Sequence, residues 1–455
     1  MTGAGQPGQP LPGQVRKGDV MSDEQRALLL DSVRKYHQEI QEERPFVPGV
    51  TEIWPTGAVL GVEERVALVE TALDLRIAAG RNARKFESAF ARKLRVRKAH
   101  LCNSGSSANL LAVSALTSAQ LGDRRLHRGD EVITVAAGFP TTVNPILQNG
   151  LVPVFVDIEL GTYNTSVDRV AAAIGPKTRA IILAHALGNP FAVAEMAELA
   201  REHGLFLIED NCDAVGSFYD GRPTGSFGDL ATASFYPAHH MTMGEGGCVL
   251  TSNLVLARAV ESLRDWGRDC WCAPGESNTC MKRFDHQMGS LPDGYDHKYI
   301  YSHVGYNLKT TDLQAALGLA QLARIDEFCA TRRHNWRRLR GGLDGIPHLL
   351  LPEAAPRSDP SWYGFVITVV PGAPFTVPEL VDFLEERKIG TRRLFAGNLT
   401  RHPAYADQPY RVVGELTNSD LVTSQTFHIG VYPGLTDEMI DYVISSIRKF
   451  VQTYG

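Results

Sequence analysis

The chain has 455 residues, with 46 lysines and arginines against 51 aspartates and glutamates, for a formal net charge of −5. That balance excludes a general nucleic-acid binder, and a chain of this length needs more than one core. Hydrophobic residues make up 44% and charged residues 21%, a globular composition in which any anionic ligand must be met by a local cluster.

Residues 1–20 are rich in Gly, Pro and Gln, lack the apolar core of a signal peptide and read as a disordered tail. A helical N-terminal arm is expected over 21–50, and the helical pattern resumes in "EERVALVETALDL" and "NARKFESAFARKL". The richest apolar run, "ANLLAVSALTSA", falls short of the roughly 18 residues a membrane span requires. The expectation is therefore a soluble, cytoplasmic protein with no membrane partner.

From residue 100 to 250, apolar runs alternate with amphipathic helices. The runs are "EVITVAA", "LVPVFVDI", "RAIILAHAL", "GLFLIED", "ATASFY" and "GCVLTS". This alternation predicts an α/β fold, a largely parallel sheet covered by helices, with ligands gathered at the carboxyl ends of the strands. The large domain is expected to span 51–334. Within it, 265–303 is a polar, aromatic, cysteine-bearing loop without periodicity, and loops of that length in compact domains are functional or disordered. A long helix leads into a small α+β domain at 335–455, marked by the strand "WYGFVITVV" and the helix "TVPELVDFLEERKIG".

Four features fall at strand ends. "NSGSSAN" offers Ser104, Gly105 and Ser106 at a helix start, which suits either a phosphate or an ordinary N-cap. Phe139 in "AAGFPTT" is placed to stack on a flat ring or to fill the core. "LIEDNCDA" ends a strand with Glu209, Asp210 and Asp213; a carboxylate there keeps a pyridine nitrogen protonated or caps a helix. The fourth is "ATASFYPAHHMTMGEGG", residues 231–247, with Ser234, Tyr236, His239 and His240.

In this order and spacing, with "KFESAFA", "YNLKTTDLQAALG" and "IGTRRLF", the chain resembles the DegT/DnrJ/EryC1/StrS sugar aminotransferases from about residue 50 to the C-terminus. The resemblance implies the fold type I architecture of pyridoxal-phosphate enzymes. It also implies phosphate contacts from Ser104, Gly105, Ser106 and Ser234, ring stacking by Phe139, a pyridine partner in Asp210, and Asn307 reaching across a homodimer. The family's anchoring lysine is replaced by His239, and an imidazole cannot form the Schiff base that a primary amine forms. Such an exchange marks the family's 3-dehydrases, which act on nucleotide-linked (TDP or CDP) 4-keto-6-deoxyhexoses with pyridoxamine phosphate. It makes His239 the proton-moving group and Tyr236 its neighbour in catalysis, with His240 a structural bystander. Arg392, Arg393 and Arg401 are candidates to clamp the substrate diphosphate.

Seven cysteines in a chain without an export signal leave thiols free for metal or redox work. Cys212, Cys270, Cys272 and Cys280 follow the spacing C-x57-C-x-C-x7-C. Read alone, the set could bind zinc or iron. Within the resemblance it matches the 2Fe-2S ligands of the reductive 3-dehydrases, which implies an electron donor, a dedicated reductase or a ferredoxin or flavodoxin. Two other readings stay open here: a 3-dehydrase that draws its amine from glutamate without a cluster, and a non-enzymatic, zinc-bearing member of the fold.

Overall fold

The computed structural model describes residues 21–40, 45–272 and 276–454; the tail expected over 1–20 lies outside them. Helix α1 (Asp23–Ile40) buries none of its residues, and Arg26 ties it to Glu70 and Asp74. Helices α2 (Val62–Leu73) and α3 (Arg81–Lys93) match the two predicted segments, with Phe86 and Phe90 of α3 fully buried.

The large sheet is built from β1 (Lys98–Cys102), β2 (Glu131–Val135), β3 (Val152–Val156), β4 (Thr178–Ala184) and β5 (Phe206–Asp210). A small hairpin, β6 (Phe218–Tyr219) and β7 (Arg222–Pro223), precedes its remaining long strands, β8 (Leu230–Ser234) and β9 (Gly247–Thr251). Helices α4 (Gly105–Ala115), α5 (Pro140–Gln148), α6 (Val167–Ala173), α7 (Val193–Glu202) and α8 (Leu254–Arg264) connect and cover them. The eight-stranded order is β1-β9-β8-β5-β4-β2-β3-β14, closed at one edge by β14 (Arg411–Val412) from the C-terminal region. Only β9 runs against the other strands. The six predicted strands are all present; β1, short and led by a lysine, is an addition.

Between 265 and 303 the described residues contain no strand or α-helix, only a short turn of 3-10 helix at His297–Tyr299. The long helix α9 (Asp312–Leu343) starts with a Thr311–Gln314 capping box, and its buried Asp312 accepts from the main-chain N–H groups of Gly80, Asn82 and Ala83 at the start of α3. The boundary expected at 335 falls inside α9, which continues without a break to Leu343. Beyond it come β10 (Leu349–Leu350), β11 (Ser358–Asp359), β12 (Gly364–Val369), α10 (Val377–Glu386), β13 (Arg392–Arg393), α11 (Thr417–Gln425), β15 (Thr426–Gly430) and α12 (Asp437–Gln452). The second sheet, β10-β12-β15-β13, packs on α9, α10 and α12 around a separate apolar cluster that includes Leu380, Phe427 and Ile447. Strand β11 joins the β6–β7 hairpin. No helix among the described residues is long and apolar enough to cross a membrane.

Phe235, the residue after β8, is fully buried and meets the rings of Phe86 and Phe90 edge-on at 5.3 Å each. It anchors the segment that carries Tyr236 and His239. Phe235→Ala should cost about 3–5 kcal/mol of folding stability, measured by chemical denaturation.

Candidate active site

The carboxyl ends of β5 and β8, the starts of α4 and α5, and the facing edge of the second sheet enclose a cavity of about 550 Å³. It is lined by every residue expected at the cofactor except Asn307: Ser104, Gly105, Ser106, Phe139, Asp210, Ser234, Tyr236 and His239. Ser104 caps α4 by accepting from the Ser107 N–H at 3.1 Å, so the helix opens toward the cavity with its N–H groups and positive dipole end. A Cβ on Gly105 would lie 2.5 Å from the Ser234 Cβ; only glycine lets the two elements approach this closely. Phe139 and Tyr236 are each half-exposed and line the cavity.

Asp210 and Glu209 leave β5 on opposite faces. Glu209 is wholly buried, accepting from the N–H groups of Gly225, Phe227 and Gly228 and meeting His185, and is structural. Asp210 lines the cavity and accepts from Asn109 Nδ2 at 2.9 Å, Thr142 Oγ1 at 2.6 Å and the Cys212 N–H at 3.2 Å. Its position is thus set from α4, α5 and its own loop, the arrangement needed to present a carboxylate to a pyridine nitrogen.

His239 Nδ1 stands 3.3 Å from Asp213 Oδ1, close enough for an ion pair though not aligned as a hydrogen bond. Burial, only partly countered by His239, holds the Asp213 carboxyl above its usual range. The main chain at His239 is fixed by Arg332, a fully buried side chain of α9 that donates to the carbonyls of His239, Trp362 and Tyr363. His240 turns the other way: it is buried, bonded through Nε2 to Ser361 Oγ at 2.8 Å, and burial pushes its pKa well below the usual imidazole range. Among the described residues no lysine lines the cavity. Its phosphate-side serines, glycine approach, ring face and carboxylate fit pyridoxamine phosphate.

Asn307 is exposed and does not line its own chain's cavity, although the adjacent Leu308 carbonyl accepts from the Asn103 N–H beside Ser104. Of the three candidate arginines, Arg393 lines the cavity and Arg392 does not. Arg401 is corrected: it forks onto Asp420 at 2.9 and 2.7 Å in a separate recess, where its charge is already paired.

Cys270, Cys272 and Cys280 line one small pocket with Arg283, His297 and Lys298, whereas Cys212 lines the cofactor cavity. Burial, reinforced by Asp210 and Asp213, pushes the Cys212 thiol well up. Cys270 is raised by burial; at Cys272, hydrogen bonds from Thr279 and the charge of Lys298 outweigh burial and lower the thiol. Cys280 Sγ lies 3.9 Å from His297 Nδ1, and Cys280, His286 and His297 stand within metal-binding reach of one another. Three of the four expected ligands therefore share one sulfur-rich pocket, a donor set that fits a thiophilic metal centre. Cys102, Cys248 and Cys329 are buried among apolar side chains.

The sequence model of the DegT/DnrJ/EryC1/StrS aminotransferase family matches residues 60–448. The chain belongs to that family. Within it, the chain is 68% identical over 423 residues to the dTDP-4-dehydro-2,6-dideoxy-D-glucose 3-dehydratase of Saccharopolyspora spinosa, covering 93% of this chain and 91% of the relative. It is 54% identical over 426 residues to the lipopolysaccharide biosynthesis protein RfbH of Salmonella typhimurium, covering 93% and 98%. Among solved family folds, the Escherichia coli GDP-4-keto-6-deoxy-D-mannose-3-dehydratase with bound hydrated PLP superposes with a TM-score of 0.79 at 24% identity, over 87% of this chain and 99% of that one. This family member thus has the fold of pyridoxal-phosphate enzymes of type I.

The pattern also missed residues. Asp213, Asn109, Thr142, Tyr363 and Phe395 lie within segments singled out by sequence but had no assigned role, and Arg332 and His428 lie outside them; all reach the site only through the fold. His428 of β15 lines the cavity, yet it is nearly buried, and burial with Arg392 nearby lowers its pKa to about 4. A lowered imidazole pKa contributes stability above the unfolded value of 6.5, lost as pH falls toward 4. Acidification across that window should cost on the order of 3 kcal/mol through His428, and His428→Gln should flatten the denaturation profile there.

Proposed function

We propose that this chain is a pyridoxamine-phosphate-dependent 3-dehydratase of a nucleotide-linked 4-keto-6-deoxyhexose, acting in deoxysugar biosynthesis with a 2Fe-2S cluster as its source of electrons. The similarity to the Saccharopolyspora enzyme supports a dTDP-linked sugar that already lacks its C2 hydroxyl. One observation carries the reading: His239, 3.3 Å from Asp213, lines the cavity, and among the described residues no lysine does.

When bound, pyridoxamine phosphate supplies the amine that condenses with the C4 ketone and the ring that spreads the resulting charge. The α4 N-terminus, Ser104, Ser106 and Ser234 hold its phosphate, Phe139 covers its ring, and Asp210 fixes the proton on the pyridine nitrogen. Asp213, 3.3 Å from Nδ1, would bias the His239 ring so that Nε2 could move the proton at the cofactor's C4′ carbon. Tyr236, at the cavity wall, is the second group able to give or take a proton. Asn307, exposed on its own chain, completes the phosphate site of a second copy in a homodimer. Cys212, Cys270, Cys272 and Cys280 would hold the cluster, which would supply single electrons drawn from a reductase, ferredoxin or flavodoxin. The shared pocket of the three loop cysteines favours this reading over a cluster-free, glutamate-driven dehydratase.

Protein purified without oxygen should be coloured, contain iron, and give a paramagnetic signal on reduction; a colourless, iron-free protein that still turns over with glutamate would sink the cluster, and zinc without cofactor binding would sink the enzyme reading. His239→Asn should retain pyridoxamine phosphate but lose at least 100-fold in turnover and in solvent exchange of the C4′ hydrogen, followed by mass spectrometry.

A further inference from the structure

His428 has a feature that the assigned roles leave unexplained. Its side chain is 5% exposed and borders the active-site cavity, yet among the described residues neither Nδ1 nor Nε2 has a partner of hydrogen-bond geometry, although the Arg393 main chain is near enough to act on the ring. Buried polar atoms are costly to leave unpaired, and a ligand or a water can satisfy them.

The ring is held in place by its surroundings. A Cβ on Gly364 of β12 would lie 2.7 Å from the His428 Cδ2, so glycine there makes room for the imidazole. Tyr363 packs against it at 6.0 Å between ring centres, and the same tyrosine meets His239 at 5.5 Å. Tyr363 therefore links the proton-moving histidine to His428 along one wall. The titratable and charged groups around it are Tyr363, Arg392 and Arg393, with no carboxylate to draw a proton onto the ring.

A neutral imidazole offers one donor and one acceptor, which suits a hydroxyl or ring oxygen and not a phosphate. The phosphate-type partner on this side of the cavity is Arg393, exposed and cationic. The cofactor's phosphate and ring are met from the other side, by α4, β5 and β8. We propose that His428 is a substrate-positioning residue whose imidazole hydrogen-bonds an uncharged oxygen of the hexose, while Arg393 takes the diphosphate. This rests on the nucleotide-sugar reading above, and it assigns sugar recognition to the second sheet.

The test compares binding of a dTDP-linked 4-keto-6-deoxyhexose and of dTDP alone to the full-length, cofactor-loaded protein by calorimetry. His428→Leu should weaken the sugar nucleotide about tenfold and leave dTDP unchanged, raising KM more than it lowers kcat. His428→Gln, which keeps a donor and an acceptor, should recover part of the loss, and serves alone against wild type if the leucine variant does not fold. Equal affinity of the variants and wild type for the sugar nucleotide would overturn the assignment, as would a proportional loss for both ligands. Failure of the wild type to bind any dTDP-linked keto sugar would overturn the functional reading itself.

Discussion

The Asp210 carboxylate is the point through which the site is assembled. It emerges from a fully buried strand, where an unpaired charge is costly, so its oxygens must be satisfied by nearby groups. The donors come from three elements: Asn109 of α4, Thr142 of α5 and the main chain at Cys212. Thr232 of β8 extends the network by donating to Asn109 Oδ1 at 2.7 Å. Satisfying one carboxylate thus fixes the helix whose start lines the cavity with Ser104 and Gly105, the helix that presents Phe139, and the strand that leads to Ser234.

The second constraint is on the loop after β8. Phe235 is pinned in an aromatic cluster, and Arg332 holds the His239 carbonyl from a helix more than ninety residues away in sequence. With both ends fixed, adjacent histidines face opposite environments. His239 points to the cavity and Asp213, and His240 into the packed interior against Ser361. The neighbour's burial makes His240 unfit for proton traffic, since its charged form is excluded by desolvation.

Much of this was legible beforehand because it depends on local rules. Alternating apolar and amphipathic segments require a covered parallel sheet, and small residues at strand ends mark where a helix N-terminus meets an anion. The missing amine at His239 is a chemical fact of one residue and needs no coordinates to interpret. The cysteine spacing was equally plain, but spacing does not say which thiols share a pocket: three do, and Cys212 lines the larger cavity instead.

By itself the sequence determined the fold class and the lack of an amine side chain at His239, and it singled out residues that line the large-sheet side of the cavity, since each follows from residue type and short-range order. Only the tertiary structure decided that Asp213 pairs with His239, that Arg332 fixes the loop, that Arg401 is engaged elsewhere, and that Tyr363, Arg393 and His428 form the opposite wall. These are contacts between segments far apart in the chain, and they exist because the second sheet folds back over the carboxyl end of the first.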